Sequence, residues 1–535
     1  MPDPLVFLPE TVATPEGELT FEPSPAALAL PGQVTALTAE VTALQSQNAG
    51  LQAAAAALAP TVFGQPFANR FTENSPGGPR LVFAHFLLSS GDYGKDYYGQ
   101  APSVQNFLQD INEAKACGID GFAVNIGAWG IPYQEAWNFL LLAADQSNVG
   151  NAGAQNSPGV GNFFIYAQPD FSGFPQDTAT ICALISSGIS HPSYYRYKGR
   201  PFLGTYAGEG GTYADVKARF QSVRTAMLAQ VPHANLFFCP FFNVRDSAGN
   251  VPQTPQSVSN ANEISGLLSG LADACWLFGT GTGPSLAPNS ALAVAEMYSQ
   301  QLAAAGIQWM GTVTPQYLGL AHPSPNHFYI EACGGEALDH QWTSILQSQK
   351  AAWVQFVTWN DDDESSNLTN ANFGPSGPWH YLAHSSIDGF YKDKSGLKML
   401  NLYYIQRYKT GVRPTIVKNA IFPFYRTQPI GLVCADPLGP LDPFTTEDGG
   451  PVTDTFYVAV MAAATSTISV TNAGQTLSKT VTPGLSFVRL GPFMPGNVSF
   501  VLTRNGQTLV TLAGEPIVSQ AAAYNGNYWT GYAHD

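Results

Sequence analysis

The sequence predicts an α/β protein, a (β/α)8 TIM-type barrel with an N-terminal coiled-coil helix and a C-terminal antiparallel β-sandwich. Three observations carry this expectation. Eight short apolar runs alternate with helical stretches between residues 81 and 410, and near-continuous hydrophobicity over a short run marks a strand buried on both faces. A heptad pattern of apolar residues occupies 34–58. From about residue 421 the pattern turns to period two, broken by Gly, Pro and Asn, as short antiparallel strands require. The chain then divides into an arm (1–30), a stalk (31–60), a barrel (61–420) and a β-sandwich (421–535). A doubly wound open sheet is the competing architecture for the alternating segment.

The arm is rich in Pro, Glu and Ala and has no clear periodicity. In the stalk, Val34, Val41, Asn48 and Ala55 fall at heptad position a, while Leu37, Leu44, Leu51 and Leu58 fill position d. Pro31 and Pro60 bracket the run. A single polar a residue sets register and strand number, so the stalk predicts a homo-oligomer. Val over Leu favours a dimer; Ala55 and the short length leave a trimer open. A helix packed against its own domain is the alternative.

The strand runs are 81–86, 121–127, 162–170, 201–209, 235–243, 274–279, 309–318 and 354–361. Helices are expected at 104–117, 133–146, 178–187, 213–230, 262–271, 290–305, 337–350 and 394–410. Ser103 caps the first and Gly118 stops it; Asn289 opens 290–305 and Gly306 closes it. In the tail, 454–461, 466–472, 485–490 and 498–503 alternate as strands.

Composition narrows the function. Lys and Arg number 23 against 38 Asp and Glu, a formal net charge of −15, which argues against nucleic-acid binding. Charged residues are only 11% and aromatics reach 12%. No apolar run is long enough for a membrane span, so no membrane partner is expected. The opening eight residues have no basic segment and no long apolar core, and do not read as a secretory signal. The six cysteines (117, 182, 239, 275, 333 and 434) show no CxxC and read as buried thiols. His380 and His384 lack an HExxH glutamate, so no metal or other cofactor is expected, and His380 is placed among substrate contacts.

In a (β/α)8 barrel the chemistry sits at the C-terminal ends of the strands. Those ends read His85, Asn125, Asp170, Glu209, Asn243, Tyr317 and Trp359-Asn360-Asp361-Asp362-Asp363-Glu364. Four carboxylates in sequence after the eighth strand suggest the acid–base pair of glycoside hydrolysis. Trp129, Trp276, Trp309, Trp342 and Trp359 are candidate platforms for sugar rings, and Asp273 joins the substrate-binding set.

These residues also carry a family resemblance. VQFVTWNDDDE at 354–364 resembles the VTWNDYGES-type segment of the endo-α-1,3-glucanases, or mutanases, of glycoside hydrolase family 71. LVFAHF at 81–86 looks like that family's opening strand, GIDGFAVNIG at 118–127 its second, and WMGTVTPQYL at 309–318 its MAPVSPWF-type strand. YYIQRYKTGVRP at 403–414 resembles the helix after the barrel, so the similarity runs in order from about 81 to 430 and weakly beyond. The resemblance implies an inverting glucanase with a barrel and attached β-sandwich, acting on an α-glucan. Its WND-x-x-E pair falls on Asp361 and Glu364.

Two positions depart from the family pattern. Asp362-Asp363 replaces Tyr-Gly, adding charge that raises carboxylate pKa values, and the acid expected after the second strand is absent. Either the linkage preference has shifted or that role is taken elsewhere, with Asp170 or Glu209 as the candidate. A non-catalytic carbohydrate-binding protein of a phage particle is the competing function. Arm, stalk and barrel in series suggest a particle-borne depolymerase, in a phage tail or outside the cell without a classical signal.

Overall fold

The computed structural model describes residues 10–13, 19–22, 39, 78–88, 102–148, 162–206, 213–230, 235–241, 268–278, 291–318, 329–330, 333–361, 366–369, 392–432, 453–521 and 528–535. Two compact units divide the chain, Met1–Ala59 and Pro60–Asp535. In the first, β1 (Glu10–Ala13) pairs antiparallel with β2 (Leu19–Glu22), so the arm read as aperiodic contains a short hairpin. Within the stalk Ala39 is helical; the rest of the expected coiled coil lies outside the described residues.

The second unit opens with β3 (Leu81–Leu87), α1 (Val104–Ala116), β4 (Gly121–Ile126), α2 (Ile131–Ser147), β5 (Phe164–Pro169) and α3 (Thr178–Ile189). It continues through β6 (Arg196–Tyr197), β7 (Arg200–Gly204), α4 (Tyr213–Gln230), β8 (Phe237–Cys239) and β9 (Ala274–Trp276). Then come α5 (Ala291–Ala304), β10 (Gln308–Val313), β11 (Tyr317–Leu318), β12 (Tyr329–Ile330), α6 (Glu336–Ser344), β13 (Trp353–Phe356) and α7 (Ser395–Thr410). Local chemistry sets the ends. Ser103 Oγ accepts from Asn106 N at 3.2 Å and Asp177 Oδ1 from Thr180 N at 2.8 Å, each satisfying an orphan donor of a first turn. The expected helix at 262–271 is described only from Leu268, which is helical.

Strand order is β8-β7-β5-β4-β3-β13-β10-β9, all parallel, with β6 antiparallel on β7. The sheet is curled in the manner of a TIM-type fold. Its two ends meet through one parallel bridge, Phe241 to Trp276, and through Asp273 N donating to Phe238 O at 2.9 Å. Side chains alternate strictly between two cores. Val82, Ala84 and Phe86, with Phe122, Val124, Ile165, Ala167 and Val354, pack outward against the helices. Leu81, Phe83, Ala123, Phe164, Tyr166, Phe202, Phe237 and Trp353 fill the inner face. Aromatic pairs dominate inside: Phe83–Tyr166 at 4.9 Å edge-on and Phe202–Phe237 at 5.0 Å stacked, each adding about 0.5–1.5 kcal/mol beyond area burial.

The tail contains β14 (Ala420–Arg426), β15 (Phe456–Ala462), β16 (Ser466–Asn472), β17 (Gln475–Val481), β18 (Gly484–Leu490), β19 (Gly496–Arg504), β20 (Gln507–Ile517), β21 (Tyr528–Thr530) and β22 (Ala533–His534). They form two antiparallel sheets, β18-β15-β14-β21 with β22 on β14, and β17-β16-β19-β20. Asn505-Gly506 joins β19 to β20 with both φ angles positive (51° and 79°), the hairpin geometry that Asn-Gly accepts most readily. Ile421, Tyr425, Val458 and Val460 of the first sheet share a core with Ile468, Val470, Phe500 and Leu502 of the second. The expected appendage is more integral than its alternation suggested. The other face of the first sheet, through Phe422, Phe424, Tyr457 and Ala459, joins the outer barrel core with Leu397, Leu400 and Tyr404 of α7. That double burial is why β14 and β15 are buried at every residue while β16 alternates.

Cys117, Cys182, Cys239, Cys275 and Cys333 are free buried thiols; Cys434 lies outside the described residues.

Candidate active site

Inner-facing positions become polar toward the C-terminal ends of the strands. His85 on β3, Gln168 on β5 and Gln355 on β13 are buried together beside Tyr166. His85 Nδ1 lies 3.1 Å from both Gln168 Oε1 and Gln355 Nε2. Gln168 Nε2 donates to Gln355 Oε1 at 2.9 Å, Gln355 Nε2 returns a bond to Gln168 Oε1 at 3.1 Å, and Tyr166 Oη donates to Gln355 Oε1 at 2.8 Å. Burial pushes the His85 imidazole down to about 4, offset in part by the hydrogen bond to Gln168, so it is neutral at ordinary pH.

An aromatic wall stands over this layer. Tyr206 and Phe278 each lie 5.4 Å from the His85 ring and Trp276 lies at 6.1 Å. Tyr206 stacks on Phe241 at 5.7 Å and meets Phe278 edge-on at 4.8 Å. Tyr206, Phe241 and Phe278 follow β7, β8 and β9, so consecutive strands build one patch. Tyr206 and Phe278 are half-buried, whereas Trp276 is fully buried with its Nε1 donating to Thr205 O at 3.2 Å.

Carboxylates and amides lie at the other strand ends. Asn125 Nδ2 on β4 donates to Asp170 Oδ2 at 3.4 Å, and Asp170 Oδ1 accepts from Ser172 N at 3.0 Å and Ser172 Oγ at 2.6 Å. Past β13, Trp359 N donates to His85 O at 2.7 Å. Asn360 Oδ1 accepts from Leu87 N at 2.9 Å while its Nδ2 donates to Leu87 O at 3.2 Å. Asp361 N donates to Thr358 Oγ1 at 2.9 Å, and Thr358 N donates to Ser366 O at 3.0 Å. The acidic segment therefore leaves the sheet from a pinned base beside β3. Asp361 is half-buried; Glu364, with Asp362 and Asp363, lies outside the described residues.

His85, Asn125, Asp170, Trp276, Asn360 and Asp361 are thus brought to the same end of the sheet. Trp129 is half-buried after β4, with its ring 6.1 Å from Phe174, and Tyr317 is buried on β11. Glu209, Asn243 and His380 lie outside the described residues.

Several expected sugar contacts are placed elsewhere. Asp273 precedes β9 at the opposite, N-terminal end, where Arg200 Nη1 and Arg224 Nη2 bind its oxygens at 2.7 and 2.6 Å. An acid flanking a strand is ambiguous between the two rims until the strand's limits are known. Trp359 is fully buried, its Nε1 donating to Asp110 Oδ1 on α1 at 3.1 Å and its ring 5.5 Å from Phe122. Trp309 donates to Gln349 Oε1 at 2.6 Å and Trp342 to Asn401 Oδ1 at 3.0 Å, both in the core between sheet and helices. These three indoles are core residues, not platforms.

Sequence reasoning missed Gln168, Gln355, Tyr206, Phe241 and Phe278. A signal was present in the first two: glutamine inside a strand buried on both faces needs a polar partner across the sheet. The aromatic residues were indistinguishable from core.

The profile of Glycosyl hydrolase family 71 matches residues 78–535. A glucan endo-1,3-alpha-glucosidase of Schizosaccharomyces pombe is 25% identical over 463 residues, covering 86% of this chain and 96% of that protein. A mutanase of Penicillium rubens is 24% identical over 470 residues, covering 86% and 90%. Among solved structures, an endo-alpha-mannosidase from Bacteroides thetaiotaomicron is 12% identical with a TM-score of 0.42, covering 62% of this chain and 96% of its own.

Proposed function

From the premise that the chain belongs to glycosyl hydrolase family 71 and is a glycosidase, we propose that it hydrolyses internal α-1,3 linkages of an α-glucan by inversion. The supporting observation is the pinned base of the Trp359–Asp361 segment, which fixes the backbone of Asp361 at the end of the sheet that carries the polar layer and the aromatic wall. The strand ring is read as closed between β8 and β9, which makes that rim the mouth of a barrel.

In this mechanism Glu364 protonates the departing glycosidic oxygen while Asp361 activates water on the opposite face of the sugar. Inversion requires the two carboxyl groups to stand about 6.5–9.5 Å apart. The clustered charges of Asp362 and Asp363 favour the protonated form of Glu364 by like-charge repulsion. Asn125 and Ser172 hold Asp170 at the end of β5, where it takes the place of the acid absent after β4. The test is release of reducing sugar from insoluble α-1,3-glucan by the wild type and by Glu364→Gln. Equal activity in both proteins removes Glu364 from the chemistry. Binding without turnover by the wild type supports the rival reading of a carbohydrate-binding particle protein, which the Asp362-Asp363 departure favours.

The heptads of 31–60 support oligomerisation, and arm, stalk and head in series support a particle-borne or extracellular depolymerase such as a phage tail component. Linked copies raise effective concentration on a polymer, so that each site can bind weakly. Removal of residues 1–60 should convert a dimer or trimer into a folded, active monomer. A full-length chain that is monomeric at micromolar concentration contradicts the stalk.

A further inference from the structure

The polar layer at the rim constrains the tautomer of His85 as well as its position. Gln355 Nε2 has two hydrogens and two neighbours, Gln168 Oε1 and His85 Nδ1, both at 3.1 Å. Gln168 Nε2 likewise spends its hydrogens on Gln355 Oε1 at 2.9 Å and Tyr166 Oη at 3.4 Å. His85 Nδ1 stands 3.1 Å from an acceptor, Gln168 Oε1, and from a donor, Gln355 Nε2, so the ring can donate to the first or accept from the second. Accepting spends the second Gln355 hydrogen, which the donating tautomer leaves without a partner in a buried layer.

We propose that His85 is a substrate-positioning residue, whose Nε2–H is a fixed neutral donor to a sugar hydroxyl or ring oxygen held against the Tyr206–Phe278 wall. This rests on the glucanase reading and adds to it a residue, an atom and a charge state. The groups that face His85 among the described residues are Gln168 from β5, Gln355 from β13, Tyr206 beyond β7, and Trp276 and Phe278 at β9. None is a carboxylate or a cation. A neutral donor suits a sugar oxygen, because it binds without placing a positive charge where an oxocarbenium-like centre develops.

The experiment uses full-length Glu364→Gln protein labelled with ¹⁵N-histidine, and an α-1,3-linked glucose tetrasaccharide as the probe. Long-range ¹H–¹⁵N spectra, assigned through loss of the signal in His85→Gln, should show an Nε2–H tautomer that stays neutral from pH 5 to 8 and moves when the tetrasaccharide is added. Gln168→Glu supplies a kinetic arm. A carboxylate against Nδ1 holds a proton there, so kcat/KM should acquire an acid limb near neutrality that wild type lacks, with the melting temperature measured alongside. An Nδ1–H tautomer overturns the proposal. So does a signal that stays still with a tetrasaccharide that wild-type protein cleaves, which leaves the glucanase reading intact. Wild-type protein that neither binds nor cleaves the tetrasaccharide removes both.

Discussion

Asn360 and Leu87 exchange a reciprocal pair of hydrogen bonds, 2.9 Å to the side-chain oxygen and 3.2 Å from the side-chain nitrogen. One amide thus ties the chain leaving β13 to the end of β3, and Asp361 is the next residue. Asn360→Ala leaves a main-chain donor and acceptor without this partner, at about 1–3 kcal/mol. It also frees the base of the acidic segment. A misplaced catalytic group costs up to about 100-fold, so kcat on α-1,3-glucan should fall about 10- to 100-fold with a smaller change in KM. An unchanged kcat would show that the tie does not position the acid.

Asp273 is expected to matter for stability alone. Its carboxylate takes hydrogen bonds from Arg200, Arg224 and the Phe238 amide at the N-terminal rim. Breaking a buried pair costs about 3–5 kcal/mol, and the partial exposure of all three side chains reduces this to about 2 kcal/mol. Asp273→Ala should lower the denaturant midpoint while kcat/KM of the folded enzyme stays within about twofold. A large loss of kcat/KM without destabilisation would return Asp273 to the substrate set.

The aromatic wall predicts a binding effect. Tyr206→Ala and Phe278→Ala each remove a half-buried ring facing the rim. At about 0.5–1.5 kcal/mol for a ring contact, KM should rise roughly 2- to 12-fold with kcat less affected. Trp359→Phe is the contrast: loss of the bond to Asp110 should destabilise by about 1–2 kcal/mol and leave KM unchanged. If Trp359→Phe raised KM as much as the wall variants, the division between wall and core would be wrong.

Acid stability follows from His85. Its folded value, about 4, lies below the ordinary 6.5, so between those pH values the unfolded chain binds the extra proton. The stability His85 contributes is whole above pH 6.5 and is lost as pH falls through about 4, up to about 3 kcal/mol in all. His85→Gln should flatten the unfolding free energy over that window. The same slope in both proteins would mean that His85 is solvated and charged in the folded state.

What the sequence disclosed follows from where its information is local. Apolar runs such as Phe164–Pro169 are read as strands because nothing else buries both faces, and their C-terminal ends brought His85, Asn125, Asp170 and Asp361 to one rim. Which rim Asp273 occupied depended on where a three-residue strand began. The core placement of Trp359 and Trp342 is not legible in the sequence, because their polar partners, Asp110 and Asn401, lie on helices far away in the chain. The burial of Phe422 and Phe424 on the outer face of the first tail sheet depends on α7, a tertiary contact that period-two alternation cannot reveal.

The central claim is hydrolysis of α-1,3-glucan by Asp361 and Glu364 with inversion. It is tested most directly by proton NMR of the sugar released in the first minutes of digestion, before mutarotation. The account predicts that the new reducing ends appear as the β-anomer and then equilibrate. First appearance of the α-anomer would contradict it, because retention requires a covalent glycosyl-enzyme and carboxyl groups only about 5 Å apart.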